Sequence, residues 1–412
     1  MKLINRKLGD GIHIKHGFAF LGEYFSDQGK YILLTPGNFY EEGGFKSRPE
    51  KDRYYIGTFP SDYLLEKDDL IVAMTEQGPG LLGSSAFIPE DNTYLHNQRL
   101  GLVDEIDEDL LDKKYLYHLF NSRGVRSQIY GSATGTKVRH TSPGRIYKVK
   151  VLVPDVVKQK EISSIIENYS QLIDTNRRRI QLLEETARLL FREWFVYFKF
   201  PSYEKVKIVD LSGRRIPIGW DYLPFTKIKI FKKAPLGVPV FADIRQYYQT
   251  SEIDGTSITG NGEEVDYENR PSRADIAPRI NTVYFAKMKD TDKIFYFNKG
   301  NSNLLERILL STGMVGFTTD EKYLGFLFGL LTSYEFVQYK NNFATGATQV
   351  SLNDASLKKI KVLFPSPNLV ALYSEIVNPL LEECSLLRSQ NQKLTQARDL
   401  LLPRLMSGAI EV

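Results

Sequence analysis

Lys148-Val149-Lys150-Val151-Leu152-Val153-Pro154 returns 211 positions later as Lys359-Ile360-Lys361-Val362-Leu363-Phe364-Pro365. The same shift carries Tyr115-Leu116-Tyr117 onto Phe326-Leu327-Phe328, and Ala133-Thr134-Gly135 onto Ala344-Thr345-Gly346. No gap is needed from the first of these matches into the helical pattern after each proline. Self-similarity at one fixed offset marks a duplicated architecture. A protein with two copies of one module is suited to a ligand with two parts.

The helical pattern after the first proline keeps an apolar seam. Ile162, Ile166, Tyr169, Ile173, Asn176, Ile180, Leu183, Ala187, Leu190 and Trp194 step by alternating four and three, the spacing of a coiled-coil seam. The shift yields Tyr373, Val377, Leu380, Cys384, Leu387, Asn391, Leu394, Arg398, Leu401 and Leu405, a weaker seam that contains Arg398 and whose first turns Pro379 is expected to interrupt. Each seam holds one asparagine. In an antiparallel pair, setting Ile162 against Leu405 brings Asn176 opposite Asn391; a parallel pair would set Asn176 against Leu387. Buried polar pairs select register at a cost in stability, so antiparallel pairing is expected.

Around these helices the chain reads as α+β. Residues 1–154 form a β-rich domain with short helices, 155–199 a central long helix, 200–365 a second domain of the same kind, and 366–412 a C-terminal long helix. Strand-like runs include Tyr31–Leu34, Asp69–Met74 and Tyr147–Val153, and an apolar face through Leu110, Leu111, Tyr115, Leu119 and Phe120 predicts a helix over 108–121. The expected whole is two similar domains held apart by an antiparallel two-helix coiled coil, with an internal pseudo-two-fold repeat.

Composition narrows the class. The chain has 412 residues, 42% hydrophobic and 25% charged, which is globular rather than disordered. The net charge of +4 permits nucleic-acid binding without requiring it. A single cysteine, Cys384, excludes a disulfide framework. With no run of about 18 apolar residues and no signal-peptide core, the expected location is the cytoplasm.

Catalytic motifs fail on context. Gly78-Pro79-Gly80-Leu81-Leu82-Gly83 matches a dinucleotide fingerprint by letter, but Ser84–Pro89 reads as a strand, so no helix N-terminus is there to hold phosphate. Gly131–Lys137 is glycine-rich with the wrong phosphate-loop spacing. The Asp/Asn-Pro-Pro-aromatic tetrapeptide of amino-methyltransferases is missing. All five histidines, His13, His16, His96, His118 and His140, lie in the first half, so no metal site is duplicated, and none is complete. Asp155 after Pro154 reads as a helix cap rather than a nuclease carboxylate.

Polar and basic residues recur instead in loops. Lys137, Arg139 and His140 precede the last strand of the first domain, and Thr348 and Gln349 occupy the matching loop of the second. Gln77, Gln98 and Arg99 cluster in the first domain; Arg245, Arg270, Ser272 and Arg273 occur in the second. Arg, Gln and Asn suit base edges, and Lys and Ser suit phosphates. These twelve are the candidate DNA-contacting residues.

The chain resembles the specificity subunit of type I restriction-modification enzymes over essentially its whole length. The resemblance rests on Gly17-Phe18-Ala19-Phe20, Gly37-Asn38 with Gly43-Gly44, the helix end Leu190-Phe191-Arg192-Glu193-Trp194-Phe195-Val196-Tyr197-Phe198, Ile216-Pro217-Ile218-Gly219-Trp220, and the closing Leu405–Val412. It departs at the second helix, where Val370-Ala371-Leu372-Tyr373 replaces the Glu-Gln-rich start seen in Lys158-Gln159-Lys160-Glu161. The resemblance implies a non-catalytic reader of double-stranded DNA, each domain taking half of a bipartite site. The helices would set the spacing and dock two modification subunits. S-adenosylmethionine, ATP and magnesium would act on modification and restriction subunits, with no cofactor on this chain. From 162 to 194 the seam is roughly 48 Å long, which at about 3.4 Å per base pair separates half-site centres by roughly 10–15 base pairs. The competing readings are a self-sufficient methyltransferase or nuclease, and a coiled-coil scaffold with protein-binding β domains.

Overall fold

The computed structural model describes residues 2–76, 80–211, 213–346 and 350–412. Contacts divide the chain into one unit of Met1–Gln171 with Thr395–Val412, and a second of Leu172–Leu394.

In the first unit Leu70-Ile71-Val72-Ala73 has no polar alternation and is buried on both faces. It is an inner strand of an antiparallel sheet ordered Ile12–His16, Leu100–Ile106, Leu70–Ala73, Ser85–Phe87. Side chains alternate across a strand. Leu70 and Val72 therefore join a core with Tyr115, Leu116, Phe120, Ile129, Ile162 and Ile166, while Ile71 and Ala73 join Leu34, Phe39, Leu100 and Leu102 on the other side. Two helices, Lys113–Asn121 and Arg123–Ser132, cover the first face. The earlier of them starts five residues later than the apolar pattern predicts. The Asp112 carboxylate accepts from Tyr115 N at 2.8 Å, and its own N–H donates to Gln159 Oε1 at 2.9 Å. That cap satisfies a first-turn donor and leaves 107–111 as a separate turn.

The second unit repeats this plan. Its sheet runs Lys232–Lys233, Met314–Thr318, Thr282–Ala286, Ile294–Phe297, in the corresponding order. Adding 211 turns helix Lys113–Asn121 into Leu324–Thr332, the short helix Pro143–Ile146 into Asp354–Leu357, and strand Lys150–Val153 into Lys361–Phe364. Those last strands pair antiparallel with Ile4–Lys7 and Asp221–Pro224 respectively. A smaller sheet accompanies each: Tyr31–Leu33 lies parallel to Tyr94–Leu95 in one unit, and Arg245–Tyr248 parallel to Ile308–Leu310 in the other.

The two long helices are Val156–Phe191 and Pro367–Met406. The first gives way to a π-helical turn, Arg192–Val196, instead of running to 199. The aromatic end of that helix is core: Phe191, Trp194 and Phe195 are buried, and Phe195 lies edge-on to Phe326 at 4.8 Å and near Tyr373 at 5.1 Å. Pro379 does not interrupt the second helix. Tyr373, Val377 and Leu381 are fully buried on either side of it, and the Asn378 side chain accepts from Gly325 N at 2.8 Å and donates to Glu321 O at 2.7 Å. The seam also departs at Leu380, which is half-buried while Leu381 is buried. Ser374 and Ser385 are buried too, since this helix covers a sheet domain as well as its partner helix.

Each domain docks on its helix through three matching positions. Gln159 Nε2 donates to Leu110 O and Pro154 O, Ser163 Oγ bonds Asp112, and Glu167 pairs with Lys114. In the second unit these become buried Val370, Ser374 accepting from Phe326 N at 3.0 Å, and Asn378. Val370 therefore replaces a buried amide with apolar contact, which accounts for the altered start of the second helix.

The helices are antiparallel within each unit. Ile162, Ile166 and Leu405 share one core. In the second unit Asn176 Nδ2 donates to Asn391 Oδ1 at 2.9 Å, Asn391 Nδ2 to Ile173 O at 3.2 Å, and Arg179 pairs with Glu383 at 2.8 Å. The asparagines meet in one layer, as the antiparallel reading requires. Replacing both (Asn176→Leu with Asn391→Leu) removes a buried amide and its half-buried partner together, and is expected to raise stability by on the order of 1 kcal/mol while loosening register. Thermal melts test the gain; a melting temperature clearly below wild type contradicts it.

Candidate nucleic-acid interface

In the first unit the chain leaves strand Leu70–Ala73 at Met74, whose backbone joins two other loops. Met74 N donates to Arg99 O at 3.0 Å, and Thr141 N donates to Met74 O at 2.9 Å. Three separate loops thereby reach one edge: the Thr75–Glu76 segment, the Gln98–Arg99 turn and the Ala133–His140 loop. Arg139–His140 pairs antiparallel with Thr75–Glu76, and His140 Nδ1 lies 3.3 Å from Thr75 Oγ1. Thr134 and His140 bond each other through both backbone pairs, closing the loop that carries Lys137. Gly135 turns that loop at φ +98°, where a Cβ would lie 2.0 Å from Val138 O.

Gln98, Arg99, Lys137 and His140 are exposed on this edge. Arg139 is half-buried, its guanidinium 4.2 Å from the centre of the Tyr130 ring. Tyr130 was not among the candidates; nothing in the sequence links it to Arg139 before the fold is known. The Gln98–Arg99 turn is held from beneath. Gln98 N donates to Phe18 O at 2.9 Å, and Gly17 is so close that a Cβ would fall 1.9 Å from Asn97 O. This explains the glycine of Gly17-Phe18-Ala19-Phe20. Gln77 lies outside the described residues. The Gly80–Gly83 turn enters strand Ser85–Phe87, not a helix. Glu76 accepts from Leu81 N and Leu82 N, and Arg126 donates to Leu82 O and Glu41 O, so both charges are structural.

The second unit has the matching edge. Thr345 and Ser351 form the same double backbone bridge as Thr134 and His140, 211 residues on. Lys287 stands where Met74 stands: its N–H donates to Gly313 O at 2.9 Å, and its carbonyl accepts from Leu352 N at 2.8 Å. Arg273 is exposed, with its carbonyl accepting from Thr312 N at 2.9 Å, and Ser272 beside it is exposed. Arg245 and Arg270 are joined through aromatic rings. Arg245 stacks on Phe241 at 4.2 Å, Phe241 meets Tyr267 edge-on at 5.6 Å, and Arg270 stacks on Tyr267 at 4.3 Å. Arg270 also pairs with Asp275 at 3.7 Å. Thr348 and Gln349 lie outside the described residues.

Each edge therefore presents cations and hydroxyls on loops carried by a rigid sheet, with the Gln98 amide added on the first, a donor set that fits phosphate oxygens and base edges. Among the described residues no group of histidine, cysteine and carboxylate side chains is placed to hold a metal ion, and no helix is long and apolar enough to cross a membrane. The profile of the type I restriction modification DNA specificity domain matches residues 3–185, which include the first edge and most of the first long helix. That stretch, a little under half of the chain, is where the likeness to type I restriction-modification specificity domains lies. Among the chain's relatives is the type I restriction enzyme MjaIX specificity subunit of Methanocaldococcus jannaschii, 22% identical over 76% of this chain and 72% of that protein. The HindI specificity subunit of Haemophilus influenzae is 21% identical over 84% of this chain and 87% of its own length. The crystal structure of a type I restriction-modification S subunit from M. genitalium has the same fold, with a TM-score of 0.58 at 15% identity, covering 98% of this chain and 96% of that one.

One buried titratable group supports the first edge. His96 is fully buried under the Gln98–Arg99 turn, and its Nε2 donates to Leu100 O at 3.0 Å. Burial pushes its pKa down to about 4, so it is neutral in the fold. The unfolded chain takes up that proton near pH 6.5, so stability is lost as pH falls below about 6.5, by about 2 kcal/mol at pH 5. Denaturation at pH 7 and pH 5 measures this. The loss is expected to shrink by that amount in His96→Gln; an equal loss in both proteins excludes His96 as the source.

Proposed function

We propose that this chain acts as a specificity subunit and reads a bipartite double-stranded DNA site, one half with each domain, from the two matching loop edges. The observation that carries this is the repeated bridge, Thr134 with His140 and Thr345 with Ser351, which sets one loop in the same position in both domains. In this reading Gln77, Gln98, Arg99, Lys137, Arg139 and His140 serve the first half-site, and Arg245, Arg270, Ser272, Arg273, Thr348 and Gln349 the second. The antiparallel helices set the spacing and dock two modification subunits, and restriction subunits join that assembly. S-adenosylmethionine, ATP and magnesium act on those partners, which methylate adenine and cleave.

Mapping methylated adenines in a host that expresses this chain with its modification subunit tests the reading. Two short specified sequences separated by a constant unspecified gap are expected; a single continuous site defeats it. Lys137, exposed in a glycine-turned loop, is assigned to phosphate. Lys137→Ala is expected to weaken binding to all sequences alike and to lower the salt slope by about one unit. Titrations of the assembled complex with each half-site scrambled in turn check this, and wild-type affinity and slope would remove Lys137 from the interface.

A further inference from the structure

The central residue of the two edges differs. In the first unit it is Met74, fully buried; in the second it is Lys287, half-buried and held by the same pair of backbone hydrogen bonds. Lys287 shares its surroundings with Lys233 and Arg273. Burial, and then the positive charge of Lys233 and that of Arg273, push its ammonium below the usual lysine range. Asp354 opposes them, but both its oxygens lie 2.6 Å from Lys233 Nζ. Lys287 and Lys358 also act on Asp354, so one carboxylate serves three lysines. Partial desolvation and like charges both oppose an ammonium group here, and methionine at the matching place shows that the fold does not require one. A cation kept at such cost on an exposed edge is explained by an anion that arrives from outside.

We propose that Lys287, with Lys233 and Arg273, forms a DNA-phosphate site in the second domain that the first domain lacks. This rests on the bipartite reading above and goes beyond it. The two domains would hold DNA with unequal electrostatic strength, the second gripping the backbone at the middle of its reading edge. A phosphate there relieves the repulsion among the three cations and carries no sequence information.

The test uses the complex of this chain with its modification subunits and a duplex carrying the mapped site. Lys287→Met installs the first domain's residue. It is expected to weaken binding about tenfold at about 0.1 M salt and to lower the salt slope by about one unit. The loss should be the same whether the second half-site is intact or scrambled. Lys233→Met is the second variant, with a slope change in the same direction. Because Lys287→Met removes like-charge repulsion, its melting temperature without DNA should equal or exceed that of wild type, which separates lost contact from misfolding. Wild-type affinity and slope in the folded Lys287→Met complex overturn the site. So does a loss confined to the intact second half-site with an unchanged slope, because the lysine would then be reading a base. Absence of half-site preference in the wild-type complex counts against the bipartite reading; an unchanged slope beside normal wild-type selectivity counts against the phosphate site alone.

Discussion

Deleting residues 170–176 together with 391–397 shortens the gap between half-sites by about 3 base pairs. Seven residues of helix rise about 10.5 Å, and base pairs are stacked about 3.4 Å apart. These are facing heptads, and the structure makes them the ones to remove. Docking onto the sheets uses Gln159, Ser163 and Glu167 in one unit, and Glu184, Ser374, Asn378 and Arg388 in the other. The deleted segments hold the asparagine layer and none of those contacts. The half-site sequences are expected to stay as they are, since the proposal assigns base reading to the domains and only the distance to the helices. Binding to the original spacing should fall by at least about 100-fold, because only one half-site can then be gripped and specific binding drops toward the non-specific level. Methylation mapping reads both effects. An unchanged gap in a folded, active deletion complex shows that the helices are not the ruler.

Arg388→Leu is expected to destabilise the second unit by about 3–5 kcal/mol. Arg388 leaves the second long helix and is largely buried. Its Nη2 pairs with the buried carboxylate of Glu184 on the first long helix and bonds Thr256 Oγ1 at 2.7 Å. Its Nη1 donates to Tyr296 Oη at 2.9 Å and its Nε to Ser257 Oγ at 3.3 Å. One guanidinium thus links both helices to the domain they carry. Removing it leaves the buried Glu184 with only the Thr256 hydroxyl and the longer pair to Arg188, at 3.5 Å. Removing both charges, as in Arg388→Leu with Glu184→Leu, should recover most of the loss, since the penalty lies in a buried carboxylate that has lost its principal partner. Denaturation of the two single variants and the double variant gives the coupling energy. Additive losses would mean that the pair does not act as a unit.

That network was invisible in the sequence. Glu184 and Arg388 are one residue off the apolar seams, where charged residues ordinarily face solvent, and Thr256 comes from a distant loop. Lys287 was hidden for a related reason. The ungapped match begins near the last strand of each sheet, and Met74 and Lys287 precede it at a different offset, so letters alone do not align them. Tyr130 beneath Arg139 is another such case: it lies on a helix that the pattern did not separate from the loop. The errors at helix ends have local causes. Asp112 caps a helix that apolar periodicity would begin earlier, and packing on both sides carries the second long helix through Pro379.

The chain by itself determined the repeat, the two long helices, their antiparallel pairing through Asn176 and Asn391, and the loop ahead of each last strand. Each depends on short-range periodicity or on a constant offset, which letters record directly. Only the tertiary structure decided which charges are structural and which face outward. Arg126, Glu76, Arg388 and Glu184 are committed to internal partners, whereas Gln98, Lys137 and Arg273 are exposed on the two loop edges. The physical reason is that a charged side chain takes its role from partners far away in the chain. Met74 and Lys287 show this most clearly: the same backbone hydrogen bonds hold a methionine in one core and a lysine at the edge of the other.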